Sequence, residues 1–161
     1  MLTRRVLMLS GVAGLAAVWL RPDNEAGAAE VYAVSYSDDE WRRRLTPQQY
    51  AVLRREGTER PYSSPLNDEH RRGSFSCAGC DNELFSSSAK FESGTGWPSF
   101  WAPLAGAVGE TRDMSYGMVR KAVHCARCGG HLGHVFDDGP KPTGLRYCMN
   151  GVAMTFKPLP A

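Results

Sequence analysis

Two C-x-x-C pairs constrain this chain more than any other feature: CAGC at Cys77 and Cys80, and CARC at Cys125 and Cys128, with residues 81–124 between them. Turn-forming residues follow each pair, Asp81-Asn82 after the first and Gly129-Gly130 after the second. Four thiolates on two such knuckles complete a tetrahedral Zn²⁺ shell with no position left for a substrate, so the site they predict is structural. Binding at comparable small zinc sites is worth on the order of 10–16 kcal/mol, enough to decide whether a small domain folds. Disulfides are the competing reading, suited to an oxidising compartment, but bridging within a C-x-x-C closes a very small loop and stabilises little. A redox-active C-x-x-C is a third, and that chemistry uses one pair rather than two of matching shape. Zinc on Cys77, Cys80, Cys125 and Cys128 is the expectation. His124, beside Cys125, is a substitute ligand or, more simply, a packing residue.

The N-terminus suggests where such a protein works. Arg4 and Arg5 precede an apolar run from Val6 to Leu20, and Ala26-Gly27-Ala28 offers an A-x-A cleavage site. The run is short of the roughly 20 residues a spanning helix needs. Residues 1–28 therefore read as a signal peptide rather than an uncleaved anchor, with 29–36 a linker and 37–161 the folded domain. No stable membrane span is expected after processing. The paired arginines, with Arg21 beyond the apolar run, resemble a twin-arginine signal. That route exports folded proteins, so a metal could be loaded first; the bacterial periplasm is the expected destination.

At 161 residues one domain with a real core is expected, and 42% hydrophobic with 22% charged residues excludes wholesale disorder. A net charge of +2, interspersed along the chain, argues against a nucleic-acid partner. Two short helices are predicted within SDDEWRRRLTPQQYAVLRREGTERP. Ser37 and Glu40 have capping-box spacing, Thr46-Pro47-Gln48-Gln49 supplies cap, N1 proline and Gln, and Gly57 is a natural stop. From Phe75 onward, short β-type runs (KAVHC, HVFDD, LRYCMNG, VAMTFKP) alternate with Gly, Pro, Asn and Asp turns. The fold class is mainly β: a compact, zinc-stapled antiparallel domain with short N-terminal helices.

Cys148 is left over. A lone cysteine is by default a small buried hydrophobe. Its neighbours argue for chemistry. On a strand, Arg146 at i−2 and Asn150 at i+2 share its face, one a cation that favours the thiolate, the other a hydrogen-bonding amide. HLGHVFDDGP places His131 and His134 upstream as proton donors, with Asp137 and Asp138 close by. An unshifted thiol, with a pKa of about 8.5, is only a few per cent ionised at neutral pH, so a nucleophile needs such help. H-x-x-H could also bind a metal, or be two polar turn residues; nothing around it is helical. In SGTGWPSFW, Gly94, Gly96 and Pro98 set Trp97 on a tight loop, where with Phe100 and Trp101 it is core or an apolar wall for a small alkyl or thioether group.

From about Trp41 to Lys157 the chain resembles the type-B methionine sulfoxide reductases, on LTPQQYAVLRREGTERP, CAGC, LFSSSAKFESGTGWPSF, CARCGGHLGHVFDDGP and GLRYCMNGVAM. The resemblance implies a β-rich fold of the β-tent type with a structural zinc, and reduction of the R epimer of methionine sulfoxide, mainly in proteins. It makes Cys148 the nucleophile, and His131, His134 and Asn150 the groups that bind and protonate the sulfoxide oxygen. It makes Arg146 the cation supporting the thiolate and Asp138 the carboxylate orienting the network. Trp97, with Phe100 and Phe136, becomes the substrate wall. Many members carry a resolving cysteine where this chain has Thr95. A Cys148 sulfenic acid is therefore expected to be reduced by an external thiol or a thioredoxin-like partner. A non-catalytic zinc-stabilised binding module is the alternative; a Cys-His hydrolase lacks any marked oxyanion hole.

Overall fold

The computed structural model describes residues 31–160; the expected signal peptide at 1–28 lies outside them. Two short helices lead, α1 (Asp38–Arg44) and α2 (Pro47–Arg55). Nine strands follow: β1 (Gly73–Cys77), β2 (Glu83–Ser86), β3 (Lys90–Phe91), β4 (Ser99–Phe100), β5 (Val108–Asp113), β6 (Arg120–Cys125), β7 (His131–Phe136), β8 (Arg146–Met149) and β9 (Met154–Pro158). They form a three-stranded sheet, β2-β1-β9, and a six-stranded sheet, β3-β4-β8-β7-β6-β5, with every pairing antiparallel. Among the described residues, no helix is long and apolar enough to cross a membrane.

The helices start where their caps dictate. The Ser37 side chain accepts from the Glu40 N–H, but the Glu40 carboxylate turns to Arg43 and Arg44, so only half of the expected box forms. At Thr46 the box is complete: its hydroxyl accepts from Gln49 N–H, and the Gln49 side chain accepts from Thr46 N–H at 3.0 Å. α2 ends at Glu56, which adopts a left-handed φ of 54°, and Gly57 N–H then bonds to Ala51 O. Gly57 is needed for close approach: a Cβ there would lie 2.8 Å from Ala51 O. Trp41, Val52 and Leu53 form the buried stripe of this pair.

Within the segment expected as a linker, residues 32–36 make contacts with the domain. Val34 N–H donates to Arg127 O at 2.9 Å, Tyr32 sets its edge against His124, and Tyr36 against Trp41. Apolar side chains at every second residue of 32–36 give this stretch a surface to bury.

Three fully buried phenylalanines join the two sheets: Phe75 on β1, Phe85 on β2 and Phe100 on β4. Phe85 stacks on Phe100 with centroids 4.3 Å apart, and Phe75 meets Phe100 edge-on at 4.9 Å. Val123, Leu132, Tyr147 and Met149 complete the core of the larger sheet, leaving its other face to residues of different chemistry.

Candidate active site and metal centre

The four knuckle cysteines converge. Cys77 ends β1 and Cys125 ends β6, while Cys80 and Cys128 lie in the turns that follow. Left-handed residues close both turns, Asp81 with φ 58° and Gly129 with φ 68°. Matching backbone bonds brace them, Cys77 N–H to Asn82 O at 2.8 Å and Cys125 N–H to Gly130 O at 2.9 Å. The four Sγ atoms lie within 4.8 Å of one another, with Cys77–Cys128 at 3.7 Å and Cys80–Cys125 at 3.6 Å. A tetrahedral shell with metal–sulfur bonds of about 2.3 Å sets neighbouring sulfurs about 3.8 Å apart, so the donors fit a metal ion. A disulfide needs about 2.0 Å, and all five cysteines are free thiols. Thiols this close cannot all ionise without a cation among them; Cys77 is pushed up, first by hydrogen bonding to Cys125. Each short pair joins a knuckle of one sheet to a knuckle of the other, so an ion held here would staple the domain. His124 lies outside this group and packs against Tyr32 and Gly109.

The larger sheet builds a second centre on its outer face. Cys148 on β8 pairs with His134 on β7 and with Ser99 on β4, and Arg146 pairs with Phe136. Directly paired residues point the same way, so the thiol and His134 are neighbours, with Arg146 two residues along on the same face. His131 and His134, three apart, would face opposite sides of a regular strand. A bulge changes that: Ala122 pairs with His134, Val123 with Gly133 and His124 with His131, leaving Leu132 as the extra residue. The two imidazoles thus share the face, with centroids 5.3 Å apart.

His131 is 6% exposed, and its Nε2 is buried without a hydrogen-bond partner among the described residues. Burial, with the adjacent His134, lowers its pKa to about 4. Arg146 lies 4.4 Å from the centroid of the Phe136 ring and makes two 2.8 Å bonds to Asp138, the main cause of its raised pKa; Cys148 adds to the effect. Asp138 is correspondingly lowered by Arg146. Asn150 is buried and tied at both ends of its amide, to Leu132 O at 3.0 Å and to Glu59 N–H at 2.9 Å. Trp97 donates its indole N–H to Glu59 O at 3.2 Å from a loop where Gly94 and Gly96 take positive φ. A Cβ on Gly96 would strike Pro61 and Tyr62 at 2.8 Å.

A pocket of about 170 Å³ opens among these groups, lined by Thr58, Trp97, Arg120, His134, Phe136, Cys148 and Asn150. Two larger cavities flank it. One of about 740 Å³ shares Thr58, and one of about 1010 Å³ shares Arg120 and Phe136. Thr95 sits beside the thiol, Oγ1 to Sγ 3.8 Å, in a hydroxyl chain with Ser93 and Ser99. Phe100, expected at the substrate wall, is elsewhere: Ser99 pairs with Cys148 and faces the site, so Phe100 turns into the core.

Three side chains here were not among the sequence candidates. Asp113 accepts from His134 Nε2 at 2.8 Å and from Arg120 at 2.7 Å. Arg120 borders the pocket itself. The Glu59 carboxylate accepts from the N–H groups of Gly151 and Val152, and burial raises its pKa against those bonds. The only local signal was Asp113-x-Ser115, a turn pattern in which the carboxylate accepts from Ser115 N–H at 2.8 Å.

A family model described as "SelR domain" matches residues 45–158. Over 127 residues the chain is 55% identical to a "Peptide methionine sulfoxide reductase MsrB" of Agrobacterium fabrum, covering 78% of this chain and 94% of the relative. A protein of the same name in Bradyrhizobium diazoefficiens is 58% identical over 123 residues, 76% of this chain and 88% of that one. One in Leptospira interrogans is 50% identical over 127 residues, 78% and 97%.

Proposed function

The chain belongs to the SelR domain family, and from that membership and the geometry around Cys148 we propose that it reduces the R epimer of methionine sulfoxide in proteins to methionine. The carrying observation is the register that sets Cys148 beside His134 and Arg146, with the β7 bulge turning His131 to the same face.

Arg146, held by Asp138 and Phe136, sets a cation on the sheet face that carries Cys148. The substrate thioether rests on Trp97 and Phe136, its oxygen toward the two histidines. His131 is neutral at pH 7 and offers an N–H without a positive charge; His134 is the proton source, and Asn150 holds the remaining oxygen lone pair. Attack of the thiolate on the sulfoxide sulfur, with one proton delivered to the oxygen, yields methionine and a Cys148 sulfenic acid. The substrate sulfur gains two electrons and Cys148 loses them. Protonation is required because oxide is otherwise a poor leaving group.

Thr95 holds the position next to Cys148, and the other four thiols cluster apart from it, where they could hold a metal ion. The cycle is therefore closed from outside: one thiol condenses with the sulfenic acid to a mixed disulfide and water, and a second releases Cys148. A thioredoxin-like protein suits that role. Zinc is the ion that four soft thiolates at tetrahedral spacing favour, and it would serve as a staple, since a closed shell offers substrate no position. The Arg4-Arg5 leader supports twin-arginine export to the periplasm. Supplying each epimer of peptide-bound methionine sulfoxide with excess dithiothreitol tests the activity. R-only turnover, abolished by Cys148→Ser, is expected; S-epimer turnover, or activity surviving in Cys148→Ser, contradicts the reading.

A further inference from the structure

We propose that Asp113 is a positioning residue of this site, fixing the His134 ring so that Nδ1 is the nitrogen that hands a proton to the sulfoxide oxygen. The use of that proton rests on the reductase reading; the orientation of the ring does not.

Asp113 ends β5 and pairs with Arg120 at the start of β6. His134 pairs with Ala122, two residues along β6 and on the same face. The Asp113 carboxylate therefore reaches His134 diagonally, across a side chain small enough to leave the lane open. It is only 18% exposed, and His134 14%. Its acceptor capacity is committed: Oδ1 takes Ser115 N–H at 2.8 Å, while Oδ2 takes Arg120 Nη2 at 2.7 Å and His134 Nε2 at 2.8 Å. Arg120 is braced in turn by Ser115 Oγ at 2.9 Å.

These donors hold Asp113 well below the usual carboxylate range, Ser115 N–H foremost. An ionised carboxylate only accepts hydrogen bonds. The His134 nitrogen facing it must then carry a hydrogen, which makes the neutral ring the Nε2–H tautomer with its lone pair on Nδ1. Any second proton can reside only on Nδ1. In the forward step that proton leaves with the sulfoxide oxygen, and the ring returns to the same tautomer without rotating. Nδ1 is then free to take the proton of the first reductant thiol and pass it to the departing hydroxide, and the proton of the second thiol, which releases Cys148, restores the protonated ring, so the proton count closes over the cycle. The carboxylate itself never gives up or gains a proton, as in other carboxylate–imidazole pairs.

A double-mutant cycle separates this role from mere support of the fold. Single-turnover methionine formation is followed in the full chain for Asp113→Asn, His134→Asn and the double variant. Asp113→Asn alone is expected to slow the first step about 10²-fold, with KM within about threefold of wild type. In the His134→Asn background the same change is expected to cost less than about threefold. A full additional loss there, or an Asp113→Asn variant within threefold of wild type, overturns the proposal. The ¹⁵N spectrum of the wild-type His134 ring needs no variant: Nε2 protonated in the neutral ring supports it, and Nδ1 protonated overturns it. That spectrum decides the proposal even if the wild-type chain turns over no sulfoxide, an outcome that would sink the reductase reading alone.

Discussion

Glu59→Ala removes the acceptor that anchors the chain just past Asn150. Its carboxylate takes the Gly151 N–H at 2.5 Å and the Val152 N–H at 2.9 Å, while its backbone holds the Asn150 amide and the Trp97 indole. Gly151 is buried, and a stranded buried donor costs about 1–3 kcal/mol. Val152 borders the 740 Å³ cavity, where water can replace the lost bond, so its share is nearer 1 kcal/mol. Against these stands only the partial relief of a carboxylate whose pKa burial raises. The net loss is about 2 kcal/mol. With a urea slope of about 1–3 kcal/mol/M for a domain this size, the unfolding midpoint should fall by about 1 M. Glu59→Gln, which keeps one acceptor oxygen, should recover roughly half. Because the backbone bonds to Asn150 and Trp97 survive, the first-step rate should fall less than about tenfold. A midpoint shift under about 0.3 M for Glu59→Ala would refute the assignment of Glu59 as an anchor.

Further outcomes follow from the same geometry. His131, depressed from 6.5 to about 4, contributes stability that is present above pH 6.5 and lost as pH falls through 4. Between pH 7 and pH 4.5 the wild type should lose about 2 kcal/mol more than His131→Asn in paired urea titrations; equal losses would contradict a buried neutral ring. Elemental analysis should find one zinc per chain, and Cys125→Ser should lose both the ion and a cooperative unfolding transition. A metal-free chain with an unchanged melting temperature would refute the staple. Phe100→Ala should cost about 3–5 kcal/mol with KM unchanged, whereas Trp97→Ala should raise KM at a cost below about 1 kcal/mol; the reverse pattern would move Phe100 back to the substrate wall.

Local chemistry was readable in the sequence and register was not. The knuckles announced their turns because C-x-x-C followed by Asp-Asn or Gly-Gly has few backbone solutions, and Thr46-Pro47 announced α2 for the same reason. Ser37 was half legible: Glu40 had the right spacing, but Arg43 and Arg44 compete for its carboxylate. Phe100 is close to Trp97 in sequence but not in surroundings, because strand alternation against Cys148 sends Ser99 outward and Phe100 inward. The convergence of His131 and His134 depends on one extra residue, Leu132, which no local pattern marks. Asp113 and Arg120 depend on the register of β5 and β6, and Glu59 lies 91 positions from the Asn150 it holds. Such partners become visible only when the strands are paired.

The central claim is that Cys148 alone carries the oxidising equivalent taken from the substrate. Its most direct test mixes the chain with excess R-sulfoxide peptide in the absence of any thiol, counts methionine formed, and maps modified cysteines after trapping with dimedone. One methionine per chain, with the adduct on Cys148 and the other four thiols intact, is the predicted result. Two thiols lost per methionine, or a disulfide joining Cys148 to any of the four, would contradict it.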